Sequence, residues 1–316
     1  MLGSMKEYWV CAGGANVDVQ GITSAGLLPG TSNPGTVRQT AGGVARNVAD
    51  HLARLGEEVL LFALVGEDAE GEWLRQTTAQ SGVATNGMVR VPGGRTGRYL
   101  AIRAADGELL AAISDMAVNE AWTEQMVEDG VKRLQQASGL FLDANLPQPV
   151  IRRFVEEGKR LGKPVAADPV SVKKAERWRG LLNGVKLIVI GTDELEVLTG
   201  KPAASADGAE AAARLLLNEG VEQVMVLCGE NGLYLCRQTE SLWLPQPDCS
   251  LRETAKDAFA AGVLAVLGKT ESLAEQAAFG VAVAERAAAS LPLDHEALRQ
   301  RTAAYAAQAR DAVGRE

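Results

Sequence analysis

Six short, nearly continuous apolar runs recur along the chain, most of them followed by a stretch with helical spacing. They are "YWVCAGG" at 8–14, "EVLLFALVG" at 58–66, "GLFLDAN" at 139–145, "KPVAADP" at 163–169, "VKLIVIG" at 185–191 and "VEQVMVLCG" at 221–229. Strands that read this way are covered on both faces, as in a parallel sheet. The helical stretches fall at 44–55, 70–81, 123–136, 148–161, 193–199 and 207–218. This alternation predicts an α/β fold, a doubly wound and mostly parallel sheet with right-handed crossovers.

Two segments break the rhythm. Residues 17–40 are rich in Gly, Pro, Ser and Thr without helical period, and "RTGRYLAIRAADGELLAAIS" at 95–114 reads as a hairpin about Asp106-Gly107. They are expected to form a small lid sheet from about 17–40 and 89–116, projecting over the strand ends. Exposed lid strands need cover, so a homodimer clasped through the lid is expected. After Gly229, "NGLYLCR" and "SLWLP" predict an antiparallel hairpin beside the sheet, and the tail from Leu273 reads as alanine-rich helix. No linker or repeat divides the chain, so residues 6–316 are read as one domain. "MLGSM" at 1–5 reads as an expression scar.

A net charge of −8 lacks the basic stripe that nucleic acid or an anionic membrane would need. Four cysteines without C-x-x-C spacing and two histidines give no zinc pattern; reduced, buried thiols are expected. No apolar run reaches about 18 residues and no signal peptide is present, so a cytoplasmic location is expected.

Chemistry concentrates at "TAGGVARNVADHLARLG", residues 40–56. Val44, Val48, Leu52 and Leu55 share one helix face, and Gly56 terminates it. Gly42 and Gly43 precede the helix, where a ligand could approach unpaired N–H groups, and Asn47 could aim an amide at it. A plain glycine turn before an amphipathic helix is the alternative.

The segment resembles the first signature of the ribokinase-like (PfkB) carbohydrate and nucleoside kinases: paired glycines, an Asn and a closing Leu-Gly. "GGANVDVQG" at 13–21 is similar to that family's first strand, and the order of elements resembles the family over nearly the whole chain. "SNPG" at 32–35, "SDMAVN" at 114–119, "LDANLP" at 142–147 and "ADPVS" at 167–171 look most like pseudouridine kinases. The resemblance implies an α/β/α sandwich and ATP-dependent phosphorylation, with Mg²⁺, of the 5′-hydroxyl of a nucleoside, pseudouridine first. It implies that Asp18, with Asn16 beside it, and Gly42, Gly43 and Asn47 hold ribose hydroxyls. Asp115, Met116 and Asn145 would lie nearer the base or the lid. Each has a structural alternative: a strand-end acid, loop caps, a gap-filling thioether. For Asp168, before Pro169, ligand and structural readings stay open.

At "LRETAKDAFAAG", residues 251–262, the family pattern is Asp-Thr-x-Gly-Ala-Gly-Asp running into a helix. There the loop N–H groups and the helix N-terminus meet the transferring phosphoryl, and the final Asp takes the hydroxyl proton. Asp257 aligns with that base and Ala255 with the middle alanine. Thr254 and Lys256 replace the two glycines, and Leu251 the leading acid. Lys256 could grip a phosphate or fill the site. "T-A-K-D" also fits a helix cap with Thr254 at the cap and Asp257 reaching back. In "VIGTDELEVLTG" at 189–200, Glu194 matches the acid of the Lys-Pro-Asn-x-x-Glu segment that organises water and magnesium. Gly191 stands where its asparagine should be, and Glu194 could equally be a first-turn helix acid. Gly229 and Gly232 keep the turn expected near the nucleotide, with a bare hairpin turn as the alternative. The runner-up function is a nucleoside- or sugar-binding protein on a kinase fold with little transfer; a kinase using a different phosphoryl donor is a third.

Overall fold

A computed structural model describes residues 7–251 and 254–313. The possible scar at 1–5 and residues Arg252 and Glu253 of the altered loop lie outside them.

The chain opens with β1 (Tyr8–Ala12), then leaves the main sheet for β2 (Asn16–Thr23) and β3 (Gly35–Gly42). It returns through α1 (Val44–Arg54), β4 (Val59–Gly66), α2 (Ala69–Gln80) and β5 (Ala84–Val91). A second excursion forms β6 (Arg98–Arg103) and β7 (Leu109–Asp115). There follow α3 (Glu124–Arg133), β8 (Ala137–Asp143), α4 (Gln148–Arg160), β9 (Val165–Asp168), α5 (Val172–Ala175), β10 (Leu187–Gly191), α6 (Thr192–Thr199), α7 (Ala206–Asn218) and β11 (Gln223–Leu227). The hairpin β12 (Leu233–Arg237) and β13 (Glu240–Leu244) precedes α8 (Thr254–Val266), α9 (Leu273–Ala288) and α10 (His295–Val313).

Nine strands make the large sheet in the order β13-β12-β11-β10-β9-β8-β1-β4-β5. All its pairings are parallel except those of the terminal hairpin. One face packs on α1, α8 and α9, with Leu52, Leu61, Phe259 and Val281 among the buried residues. The other packs on α3, α4 and α7, around Phe154, Leu195 and Trp178. Runs such as β4, buried at every position, are apolar throughout because neither face meets water. Strand order reverses beside β1, whose neighbours are β4 and β8. A crevice therefore opens at its carboxyl end, the usual ligand position in an open α/β sheet.

The four-stranded small sheet has the order β3-β2-β6-β7. Its β6–β7 turn falls where Asp106-Gly107 predicts it: the Gly107 amide donates to Ala104 O at 2.9 Å, with Gly107 at φ 91°. One boundary differs from expectation. Residues 84–91 form β5, hydrogen-bonded to β4 at the edge of the large sheet, so the second lid segment begins at Arg98 rather than near 89. An edge strand is half solvated, and "ATNGMVRV" lacks the continuous apolar run that marks the central strands.

Candidate active site

The crevice is a cavity of about 1350 Å³, roofed by the inner face of the small sheet and floored by strand ends and the start of α8. Asn16, Asp18, Gly43, Asn47, Met116, Asn145, Glu194, Gly229, Gly232, Lys256 and Asp257 all line it. Residues from sequence positions 16 to 257 thus meet in one space. Asp115 is exposed at the end of β7 while Ser114 and Met116 face the cavity. Gly42 and Ala255 are buried and lie outside the lining. Thr254 is the first residue of α8; its side chain is outside the described set.

The acceptor end is held together by Asp143, which is fully buried at the tip of β8. Its carboxylate accepts N–H bonds from Gly14 at 3.0 Å, Ala45 at 2.8 Å and Asn145 at 2.7 Å. It thereby joins the β1 exit, the α1 start and the β8 exit. Burial pushes its pKa up, against these three hydrogen bonds. The paired glycines serve this packing directly. A Cβ on Gly43, at φ 99°, would come within 2.4 Å of Gly14 O, and one on Gly42 within 2.3 Å of the Asp18 carboxylate. Gly42 makes room for Asp18 rather than offering its own backbone to the cavity. Asn16 Nδ2 donates to Asp18 Oδ1 at 2.6 Å. Asn145 Oδ1 accepts from Lys174 Nζ, and burial lowers the Lys174 pKa.

Asp257 lies in the first turn of α8 and is 3% exposed. Its Oδ2 accepts from Asn47 Nδ2 at 2.8 Å. One carboxylate oxygen therefore faces α1 across the cavity floor. Burial is the largest influence on it, raising its pKa; Asp168 raises it further, the Asn47 hydrogen bond and Lys256 lower it, and Asp143 raises it again. The result is pushed up to about 8. A group that titrates there, on a helix N-terminus and in a cavity, suits proton transfer near neutral pH.

Lys256 Nζ lies 3.0 Å from Asp168 Oδ1, and Asp168 is fully buried at the end of β9. Burial pulls the Lys256 pKa down, but Asp168 and then Asp257 outweigh it, and the net direction is up. Asp168 Oδ1 also accepts from Val170 N at 2.6 Å, while Oδ2 is buried with no hydrogen-bond partner among the described residues. Val170 itself is held at φ 65°, an uncommon conformation for a β-branched residue.

At the donor end, Glu194 sits in the first turn of α6. A Cβ on Gly191 would come within 2.5 Å of Glu194 Oε2, so glycine leaves the space that this carboxylate occupies. Gly229 and Gly232 line the cavity, and the Gly229–Asn231 turn closes the β11–β12 hairpin. A Cβ on Gly232, at φ 89°, would fall 2.1 Å from Leu244 O. Among the described residues, no group of three or more His, Cys, Asp or Glu is arranged to hold a metal ion.

Sequence reasoning missed Asp143 and Lys174. "LDAN" placed Asp143 at a strand end, a signal that an acid there would collect nearby N–H groups. Nothing local marks Lys174.

A description of the pfkB family of carbohydrate kinases matches residues 6–291. The chain is 32% identical over 229 residues to the pseudouridine kinase of Escherichia coli K12, covering 72% of each protein. It is 31% identical over 296 residues to the uncharacterized sugar kinase YeiI of the same organism, covering 93% of this chain and 81% of that one. The structure of Arabidopsis thaliana ribokinase complexed with ribose and ATP superimposes with a TM-score of 0.81 at 24% identity, over 94% of this chain and 99% of that one. The small sheet, the nine-stranded large sheet and the cavity between them are thus those of the ribokinase-like fold, and the chain belongs to the pfkB family of carbohydrate kinases, phosphotransferases that act on hydroxyl groups.

Proposed function

We propose that the protein transfers the γ-phosphoryl group of ATP to the 5′-hydroxyl of a nucleoside, with pseudouridine first among acceptors. The observation that carries this reading is the Asp257 carboxylate, buried on the cavity floor against Asn47, between a lid-side acid and a glycine turn. The similarity to a pseudouridine kinase supports the acceptor; the equal similarity to a sugar kinase makes free sugars the comparison.

In this reading Asn16, Asp18, Gly43 and Asn47 hold the ribose, with Gly42 making room for Asp18. Met116 and Asn145 bound the base, and Asp115 braces the lid edge beside them. Asp257 takes the 5′-OH proton as its oxygen bonds to the γ-phosphorus and the bond to the ADP oxygen breaks. The N-terminal turn of α8, where Thr254, Ala255 and Lys256 lie, meets the transferring phosphoryl, Lys256 being the one of the three that lines the cavity. Gly229 and Gly232 let the nucleotide approach the β11–β12 turn. At the donor end Glu194 lines the cavity and offers carboxylate oxygens to a hard cation held through water. Mg²⁺ bound there would neutralise donor-phosphate charge. The outward face of the small sheet carries Val37 (78% exposed), Ile113 (65%) and Leu100, an apolar stripe suited to the same face of a second copy. No helix among the described residues is long and apolar enough to cross a membrane.

A second reading, nucleoside binding without transfer, is favoured by one observation: Lys256 is engaged with Asp168 where the family has a small glycine. ADP release with pseudouridine, uridine, ribose and no acceptor, alongside calorimetric titration of each, tests both readings. Acceptor-dependent ADP release supports the kinase. Nucleoside binding with no turnover from ATP or other triphosphates supports the binding protein.

A further inference from the structure

Asn47 is not free to choose which end of its amide meets Asp257. Its Oδ1 accepts from the guanidinium of the preceding residue, Arg46, whose Nε lies at 3.1 Å and whose Nη2 also donates. Arginine has no acceptor, so the oxygen must face it. The Nδ2 group is left to point at Asp257 Oδ2, 2.8 Å away. Arg46 is in turn fixed from behind. Its Nη1 lies 3.5 Å from Asp50 Oδ1, and Asp50 is shared with Arg54 Nε at 2.9 Å and with the Ser81 hydroxyl. Arg46 and Asp50 are both buried, on the wall between the active-site cavity and a second, 540 Å³ hollow between α1 and α2. Ion pairs of this kind are costly to bury.

We propose that Arg46 is a positioning residue: its guanidinium, braced by Asp50, locks the Asn47 amide with its N–H toward the Asp257 carboxylate. The inference rests on the reading of Asp257 as the base, but the lock acts in the free protein. Without Arg46 the amide can turn, its oxygen then accepting from the protonated Asp257 carboxyl. That favours the protonated acid, so less of Asp257 is ionised to act as a base near neutral pH. Groups facing Asp257 are Asn47 on α1, Asp168 on β9, Asp143 on β8 and Lys256 on its own helix. Arg46 faces Asp50, Arg54, Asp257 and Asp18. His51, one turn on, has its pKa lowered to about 4 by burial, despite Asp50, so it does not titrate in the same range.

The test compares melting temperature against pH for the whole protein, Asp257→Asn, Arg46→Met and the double variant. The wild-type-minus-Asp257→Asn difference curve should break near pH 8, the contribution of Asp257 being lost as pH rises through its folded pKa. In the Arg46→Met background the break should move up by about one pH unit. Arg46→Lys, which keeps the charge and loses the fork, should move it less and in the same direction; it serves if the Met variant does not fold. A break that stays in place in both variants, with only a uniform loss of stability, overturns the proposal. The acid limb of kcat/KM should move in parallel. If no acceptor is phosphorylated yet the break moves, the kinase reading fails and the positioning role stands.

Discussion

Asp257 is pulled two ways by its neighbours, and that balance sets its expected behaviour. Below about pH 8 the free protein holds it mostly protonated. Activity limited by this base should therefore rise with pH up to about 8 and fall off below it with a slope of one, measurable in the pH profile of kcat/KM. Asp257→Asn should cut turnover by about 10²–10⁴-fold while nucleoside affinity changes only a few-fold, because the amide still accepts from Asn47. The stability sign follows from the raised pKa. An aspartic acid ordinarily titrating near 4 and folded near 8 contributes stability below about pH 4 that is lost as pH rises to 8. The Asn variant should accordingly melt higher than wild type at pH 8 to 9. Lys256 and Asp168 make a second residue-scale case. Lys256→Met leaves a fully buried carboxylate without its ammonium, and should cost roughly 3–5 kcal/mol. Adding Asp168→Asn should restore most of that loss, as read by denaturant unfolding.

At the scale of elements, two glycines at the donor end should behave differently. Gly232 closes the β11–β12 hairpin at positive φ with backbone 2.1 Å from any added Cβ. Gly232→Ala should destabilise by about 2–4 kcal/mol, since neither the dihedral nor Leu244 O can yield cheaply. Gly191→Asn meets only the end of the Glu194 side chain, which can swing aside. It should cost less than about 1 kcal/mol in stability and instead change the Mg²⁺ concentration needed for half-maximal activity. The same distinction explains what could be read from the chain alone. The central strands were legible because burial on both faces writes an unbroken apolar run, and β6–β7 because its turn needs Asp-Gly. β5 was not, since an edge strand mixes polar and apolar residues. The glycine pairs and Asp257 announced themselves as motifs. The Arg46–Asn47–Asp257 chain could not, because Asn47 and Asp257 are 210 positions apart and only the packing of α1 on α8 brings them together. The role of Gly42 as clearance for Asp18 was likewise invisible without the β2–β3 register.

For the whole molecule, the small sheet is the part that most depends on its surroundings. Its inner face is polar and lines the cavity, while its outer face carries the apolar stripe of Val37, Leu100 and Ile113. If that stripe is the contact with a second copy, Ile113→Glu should convert a dimer to a monomer in sedimentation equilibrium and weaken nucleoside binding by loosening the roof. An unchanged mass would remove the lid-clasp arrangement.

The Asp143 junction has one further consequence. Its three N–H bonds fix the start of α1 and the exits of β1 and β8 to one another, whereas β2 departs for the small sheet just beyond it. Asp18 rides on that departing strand, and Asn47 on the fixed helix. In the proposed reading a ribose is gripped from both sides, by the small sheet through Asp18 and by the large-sheet body through Asn47. Any swing of the small sheet would strip one hand from the sugar while leaving the other in place, so that letting go of product and unroofing the cavity become one event.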